Sequence, residues 1–162
     1  RERIAVEVFM RYFNLMTGPL LLVEEAGELT GLHFDDGRFS PAHSSFGETA
    51  LLAEAVSQLD EYFMGSRKNF ELPLAPSGTD FQLRCWRALL AVPYGERASY
   101  RQVAIAAGSP KAFRAAGGAC NRNPIAIIIP CHRITGADGS LVGFGGGLEI
   151  KRRLLEHEAK YR

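Results

Sequence analysis

The sequence predicts an α/β protein of the α+β type, in which a strand-rich N-terminal domain with one helix precedes a mainly helical C-terminal domain. Three observations carry that expectation. Apolar, β-prone segments crowd the first 34 residues, helical apolar periodicity recurs after residue 50, and a Pro/Gly/Ser stretch at 73–78 divides the two. The 162 residues, 46% hydrophobic and 23% charged, suffice for one domain or two small ones, and they exclude a disordered, collagenous or transmembrane chain. A formal net charge of +1 hides an asymmetry. Residues 1–80 hold 6 Lys+Arg against 13 Asp+Glu, whereas residues 81–162 hold 13 against 5, so the halves stand at −7 and +8. A basic half points to an anionic ligand, with nucleic acid the leading candidate.

Residues 3–34 are rich in Val, Ile, Leu, Phe and Tyr, and the segments Leu20 to Glu24 and Leu29 to Phe34 flank a Glu25-Ala26-Gly27-Glu28 turn, the pattern of an antiparallel hairpin. The apolar run there includes Glu7 and Arg11, so neither a signal-peptide core nor a membrane span is read in it; the chain begins at Arg1 rather than Met. Residues 35–47 read as a loop. Leu51, Leu52, Ala55, Val56, Leu59, Tyr62 and Phe63 then repeat at helical spacing until Gly65, and Phe70 to Leu74 suggests a short strand. Pro73-Leu74-Ala75-Pro76-Ser77-Gly78 reads as a linker where the charge changes sign, which sets expected domains at 1–76 and 77–162. Three cysteines leave one unpaired under any disulfide scheme, which fits a reducing compartment: the cytoplasm, or the nucleoid in a bacterium.

In the second half, Thr79-Asp80-Phe81-Gln82 and Ser99-Tyr100-Arg101-Gln102 are both capping boxes, each opening a short amphipathic helix. The second helix ends at Gly108, after which Ser109 as N-cap and Pro110 as first residue predict another helix to about Asn121. Two short helices around a tight turn, with Lys111, Arg114 and Arg122 on the second, make a helix-turn-helix pattern that ordinary helical packing also produces. Ala115, Ala116, Gly117, Gly118 and Ala119 are consecutive small residues, and two adjacent glycines cost a helix about 1 kcal/mol each relative to Ala. Something approaches that backbone closely. It is either a packed neighbouring helix or a narrow nucleic-acid groove, the latter with Arg114 projecting beside Ala115, Gly118 and Ala119.

Ile125 to Ile129 reads as a strand buried on both faces, ending abruptly in Pro130-Cys131-His132-Arg133. A nucleophile at the end of such a strand is held rigidly while its tip reaches a cleft, and thiol chemistry needs a base or cation nearby. Cys85 and Cys120 read instead as small buried hydrophobes. Adjacent side chains of an extended segment point apart, so His132 reaches the sulfur only through a turn or a bridging water. No Cys-x-x-Cys pair exists, so no metal site is expected. Thr135-Gly136-Ala137-Asp138-Gly139 reads as a turn, and Gly143-Phe144-Gly145-Gly146-Gly147 lacks the Gly-Lys-Ser/Thr ending of a nucleotide loop, fitting a backbone that approaches a flat ligand. A last helix runs from about Leu148 to Glu158 with Ile150, Leu154 and Leu155 on its apolar face. Glu158 is either a partly buried carboxylate, with His132 a candidate partner, or a solvated terminal residue.

The stretch from Thr79 to Glu158 closely resembles the O6-alkylguanine-DNA alkyltransferases, also called methylated-DNA-protein-cysteine methyltransferases. The resemblance rests on I-P-C-H-R at 129–133, A-x-x-R-N-P at 119–124 beginning at Ala119, R-A-x-G-G at 114–118 and G-F-G-G-G-L at 143–148. It implies a single-turnover repair protein that needs no cofactor and acts as a monomer on double-stranded DNA. The helix-turn-helix enters the minor groove, the damaged base is flipped out, and the alkyl group of O6-alkylguanine, or of O4-alkylthymine, passes irreversibly to Cys131. By the same resemblance Arg114 takes the vacated place in the duplex and Tyr100 helps rotate the nucleotide and hydrogen-bonds the base. His132 and Glu158 form a relay that reaches the thiol through a water, Asn123 braces the turn before Cys131, and main-chain groups around Ile134 and Gly145 read the guanine edge.

Departures accompany it. Phe144 stands where many relatives have Tyr, keeping a ring against the alkyl group, and Ala126 replaces a Pro that lines the pocket in some relatives. The N-terminal cysteines that bind zinc in some relatives are absent, so zinc is not expected. Two alternatives belong to other classes: a winged-helix module that binds lesions or regulates transcription without chemistry, against which the intact Cys131 speaks, and a turnover hydrolase with a Cys-His nucleophile.

Overall fold

The structure, a computed structural model, describes residues 6–162; the first residues of the expected N-terminal domain, including the start of the apolar run at residue 3, lie outside the described residues. The chain divides into two compact units, Arg1–Pro76 and Ser77–Arg162.

The first unit is built on a three-stranded antiparallel sheet in the order β1 (Glu7–Asn14), β2 (Gly18–Glu25), β3 (Glu28–Phe34). Three strands form rather than one hairpin, because Asn14 closes a second tight connection: its Oδ1 accepts from the amides of Met16 and Thr17. Between β2 and β3, Ala26 and Gly27 both adopt positive φ, the two-residue turn whose twist suits a hairpin. Leu20 to Val23 of the central strand are buried on both faces. Helix α1 (Ala50–Met64) packs on the sheet through Leu52, Ala55, Leu59 and Tyr62, with Thr49 as its N-cap and Gly65 (φ 86°) as its left-handed stop. The loop before it contains a single 3-10 turn at His43–Ser45.

Phe70 to Leu74 is not a strand, which corrects the sequence expectation. The main chain of Glu71 is satisfied by the buried Gln58 side chain, whose Oε1 accepts from Glu71 N (2.9 Å) and whose Nε2 donates to Glu71 O (3.1 Å). Only Leu74 reaches a ladder, through a single bridge to Leu29.

The second unit is mainly helical: α2 (Asp80–Leu90), α3 (Tyr100–Ala106), α4 (Phe113–Asn121) and α5 (Leu148–Lys160). Both capping boxes form as read, at Thr79 and Ser99. Trp86 ties α2 to the end of α4 by donating from Nε1 to the Ala119 carbonyl (2.8 Å), and Arg84 donates to the Ala107 carbonyl at the end of α3 (2.6 Å). Gly78 is required beneath that tryptophan, since an added Cβ would lie 2.5 Å from the ring. The start of α4 differs from expectation. Ser109 and Pro110 belong to the turn after Gly108, Ala112 donates back to Ser109, and the helix begins only at Phe113 without a side-chain cap.

The largest correction concerns Ile125 to Ile129. All five residues are buried, but they form a tight turn rather than a strand, with Ile129 N bonded to Ile125 O and Ile127 at φ 72°. A β-branched residue in the left-handed region is a genuine outlier. The apolar run misled because complete burial of a turn and of a central strand leave the same pattern in the sequence.

Candidate functional site

Cys131 opens a 3-10 turn, Cys131–Arg133, that follows Pro130. The nucleophile expected at a strand end therefore sits on a helical turn, and the objection that neighbouring side chains must diverge disappears with the strand. Asn123 fixes the approach to it. Its Nδ2 donates to Ile129 O (2.7 Å) and its Oδ1 accepts from Ile125 N (3.0 Å), so one side chain closes the buried isoleucine turn. The same side chain hydrogen-bonds the Cys131 thiol. Burial pushes that thiol up from its ordinary value, opposed by Asn123 and by the charge of Lys151, while part of the cysteine remains exposed. Cys120 is buried and pushed up to about 12, and Cys85 is buried and raised, so neither is a nucleophile at neutral pH.

His132 and Glu158 come together deep in the unit. His132 Nε2 lies 2.6 Å from Glu158 Oε2, and both side chains are fully buried. Of the two readings of Glu158, the buried carboxylate is the one the structure adopts. The sequence reading missed its third partner. Arg133 donates from Nε to Glu158 Oε1 (2.8 Å) and from Nη2 to Oε2 (3.1 Å), while its Nη1 reaches Val92 O; the Gly95 amide also donates to Oε1 (3.2 Å). The signal was available, since a carboxylate predicted to be buried needs a permanent cation and Arg133 adjoins the motif. Burial alone would raise the Glu158 carboxyl, but His132 and Arg133 hold it well below the usual carboxylate range. Burial, reinforced by the charges of Arg133 and Lys151, lowers His132 despite its bond to Glu158. The ring is thus neutral, donates a hydrogen bond from Nε2–H to Glu158, and leaves Nδ1 as a buried acceptor without a hydrogen-bond partner among the described residues.

Tyr100, the first residue of α3, is half-buried and close enough to Cys120 and Cys131 to feel both; burial first, then those thiols, keep its phenol protonated. Ile134 is fully buried, with its amide given to the Cys131 carbonyl (3.2 Å). Phe144 is half-buried and its carbonyl closes a turn onto Gly147, whereas Gly145 is exposed, with nothing within 4 Å of where a Cβ would stand.

On α4, Arg114, Ala115 and Gly118 are exposed, and Ala116, Ala119 and Cys120 form the buried face. Ala119 is therefore not a groove contact as expected; it faces the core and its carbonyl holds Trp86. Close packing does not explain the glycine pair. A Cβ at Gly117 would meet the Tyr100 ring at an ordinary 3.8 Å, and one at Gly118 would meet nothing. Arg114 makes no ion pair or hydrogen bond among the described residues. No group of His, Cys, Asp and Glu able to hold a metal exists among those residues, and no helix there is long and apolar enough to cross a membrane.

A helix-turn-helix domain that presents a single accessible cysteine beside a buried His-Glu-Arg cluster defines a class of cysteine-centred proteins built on a nucleic-acid-binding scaffold. The chain belongs to the 6-O-methylguanine DNA methyltransferase family: residues 8–76 match its ribonuclease-like domain and residues 80–160 its DNA binding domain. It is 50% identical to the methylated-DNA--protein-cysteine methyltransferase of Mycobacterium leprae over 152 residues, 93% of this chain and 92% of the relative. It is 47% identical to the protein of that name from Methanosarcina barkeri over 143 residues, 87% and 90% of the two chains. Among solved structures it is similar to the O6-methylguanine methyltransferase of Mycobacterium tuberculosis (TM-score 0.87, 41% identity, 97% of this chain and 95% of that one). It is similar also to the OGT of that organism in complex with DNA (TM-score 0.83, 42% identity, 96% and 93% covered).

Proposed function

We propose that this protein repairs DNA by moving the alkyl group of O6-alkylguanine onto Cys131 in a single irreversible turnover. The observation that carries the reading is the pairing of a partly accessible Cys131 with a neutral, locked His132 whose second nitrogen is an acceptor. Nδ1 of His132 takes the thiol proton through a bridging water, and the Glu158 carboxylate, held in place by Arg133, stabilises the imidazolium that results. The thiolate attacks the alkyl carbon; the S–C bond forms as the C–O6 bond breaks, and the electron pair stays on the base. Tyr100, held protonated, donates a hydrogen bond to the purine. Because the Ile134 amide is already engaged, its carbonyl is left to read the guanine edge, with the open Gly145 backbone opposite and Phe144 against the alkyl group.

The target base is reached by flipping, since its O6 is inaccessible in the stack. Arg114 fills the vacated position, and the open surface over Ala115 and Gly118 admits the minor-groove wall. We place the protein in the cytoplasm as a monomer acting on duplex DNA, in line with its three unpaired cysteines.

The test is to incubate the protein with duplex DNA bearing O6-methylguanine and weigh it. A gain of one methyl on Cys131 with a stoichiometric endpoint is expected, and Cys131→Ser removes it. Repaired DNA with unchanged protein mass would indicate turnover, and binding without repair a lesion-binding module.

A further inference from the structure

Lys151 lies on the buried stripe of α5, where Leu154, Leu155 and Glu158 follow at helical spacing and where an apolar residue would pack at less cost. Its side chain is nonetheless 0% exposed. Burying an ammonium is expensive unless a carboxylate pairs with it, and no carboxylate among the described residues does so. Its Nζ donates instead to the Val142 carbonyl at 2.6 Å.

Val142 is the last residue before the run Gly143–Gly147, and that run is held at its other points by weaker means. The Gly147 amide bonds to Phe144 O, the Lys151 amide to Gly147 O, and Gly143 lies against the Asn121 side chain at the end of α4, 3.4 Å from where a Cβ would stand. Lys151 therefore grips the loop from the helix side through both its backbone and its side chain. The ammonium also acts on the thiols. Its charge opposes the upward pull of burial at Cys131 and at Cys120, and those two sulfurs in turn partly offset the burial that lowers Lys151 itself. The other groups that favour the ionised form of Cys131, the Asn123 side chain and the cysteine's own backbone, are neutral.

We propose that Lys151 is a positioning residue of the Cys131 centre: its buried ammonium pins the Val142 carbonyl, fixes the entry of the glycine-rich loop and keeps a positive charge without a carboxylate partner inside the unit that holds the thiol. The inference deepens the reading of Cys131 as alkyl acceptor. Its test is chosen to stand apart from that reading.

Lys151→Met keeps the length of the side chain without its charge, and Lys151→Arg keeps the charge. Each variant is reacted with iodoacetamide across about pH 6 to 10, with peptide mapping for Cys131, where the S–C bond forms as iodide leaves. The arginine variant should keep the wild-type midpoint. In the methionine variant the midpoint should rise by about one pH unit, leaving about tenfold less thiolate at neutral pH. Amide hydrogen exchange over residues 142–147 should accelerate about tenfold in the same variant as the loop loses its anchor. An unchanged midpoint and unchanged exchange in folded Lys151→Met overturn the proposal. Where that variant fails to fold, the wild-type protein decides: carboxamidomethylation of Cys131 removes the thiolate and must move the Lys151 side-chain resonance, and an unmoved resonance overturns the proposal equally. A parallel reaction with free O6-benzylguanine separates the two claims, since a wild type inert to it refutes the acceptor reading while the iodoacetamide profile still judges Lys151.

Discussion

In the first unit two buried polar side chains complete turns and main chain: Gln58 closes onto Glu71, and Thr17 accepts from Asn14 beside a turn. In the second unit most are charged or titratable: His132, Arg133 and Glu158 bond to one another in the segment that follows Cys131, and the charge of Lys151 acts on the thiol. Replacing a neutral amide that completes a turn costs one or two hydrogen bonds. A cluster of buried charges costs far more to assemble, and His132, Arg133 and Glu158 stand because each compensates another. Such a cluster is poor economy for stability, and its place beside the thiol shows where the fold has accepted that cost for chemistry.

The largest expected effect breaks the cluster itself. Glu158→Gln leaves the Arg133 guanidinium buried without its counter-charge and should destabilise the second unit by about 3–5 kcal/mol. Gln58→Leu in the first unit should cost only about 1–3 kcal/mol, for the unmet main-chain groups of Glu71. Urea unfolding measures both, and because Trp86 is the single tryptophan its fluorescence reports the second unit alone. Equal losses would erase the contrast between the units.

Acid sharpens the same comparison. His132 is lowered, chiefly by burial, so the unfolded chain binds its proton first; the stability this group contributes is complete above about pH 6.5 and falls as pH drops below it. His33 in the first unit is lowered too, by burial and then by the charge of Arg38, so both units weaken in that range. Only the second unit has a carboxylate held low by a buried histidine and arginine. Glu158 is held low, so its contribution is present above about pH 4.3 and disappears as pH falls toward its folded value. Urea midpoints followed by Trp86 should therefore drop steeply below about pH 4.3 in the wild type and flatten there in Glu158→Gln. A wild-type profile as flat as the variant's would show that the carboxylate is not held low.

Much of this was legible in the sequence, and the exceptions share a cause. The capping boxes and the Gly65 and Gly108 stops are local, and each formed where its residues were read. The strands expected at Phe70 to Leu74 and Ile125 to Ile129 did not form, and two side chains, the distant Gln58 and the adjacent Asn123, satisfy main-chain groups that a ladder would have used. Lys151 and Arg133 were missed for a related reason. Their roles depend on a carbonyl and a carboxylate brought near only by the fold.

Within the second unit, the open face of α4 contrasts with the closed pocket. Arg114→Ala should slow repair in duplex DNA by about tenfold or more, in the range of about 1–3 kcal/mol expected for a lost groove contact, while leaving reaction with free O6-benzylguanine nearly unchanged. Equal losses on both substrates would place Arg114 in the pocket rather than the groove. Raising the salt concentration should weaken duplex binding and spare the free base, because phosphate contacts release counterions.

The smallest effect concerns how Tyr100 is aimed. Ser99 accepts from the Gln102 amide, and Gln102 accepts from the Ser99 amide, so this reciprocal cap fixes the first turn of α3, in which Tyr100 is the first residue. Ser99→Ala removes one half of the box and should cost about 1 kcal/mol, the same as Thr49→Ala at the single cap of α1 in the first unit. The two differ in consequence. Loss of the Thr49 cap should leave the reaction with O6-benzylguanine untouched, whereas a frayed α3 should slow it severalfold at constant Cys131 thiol reactivity toward iodoacetamide, because the phenol is displaced and the sulfur is not. If both cap variants lose about 1 kcal/mol and neither changes the benzylguanine rate, Tyr100 is positioned by its packing on Gly117 rather than by its cap.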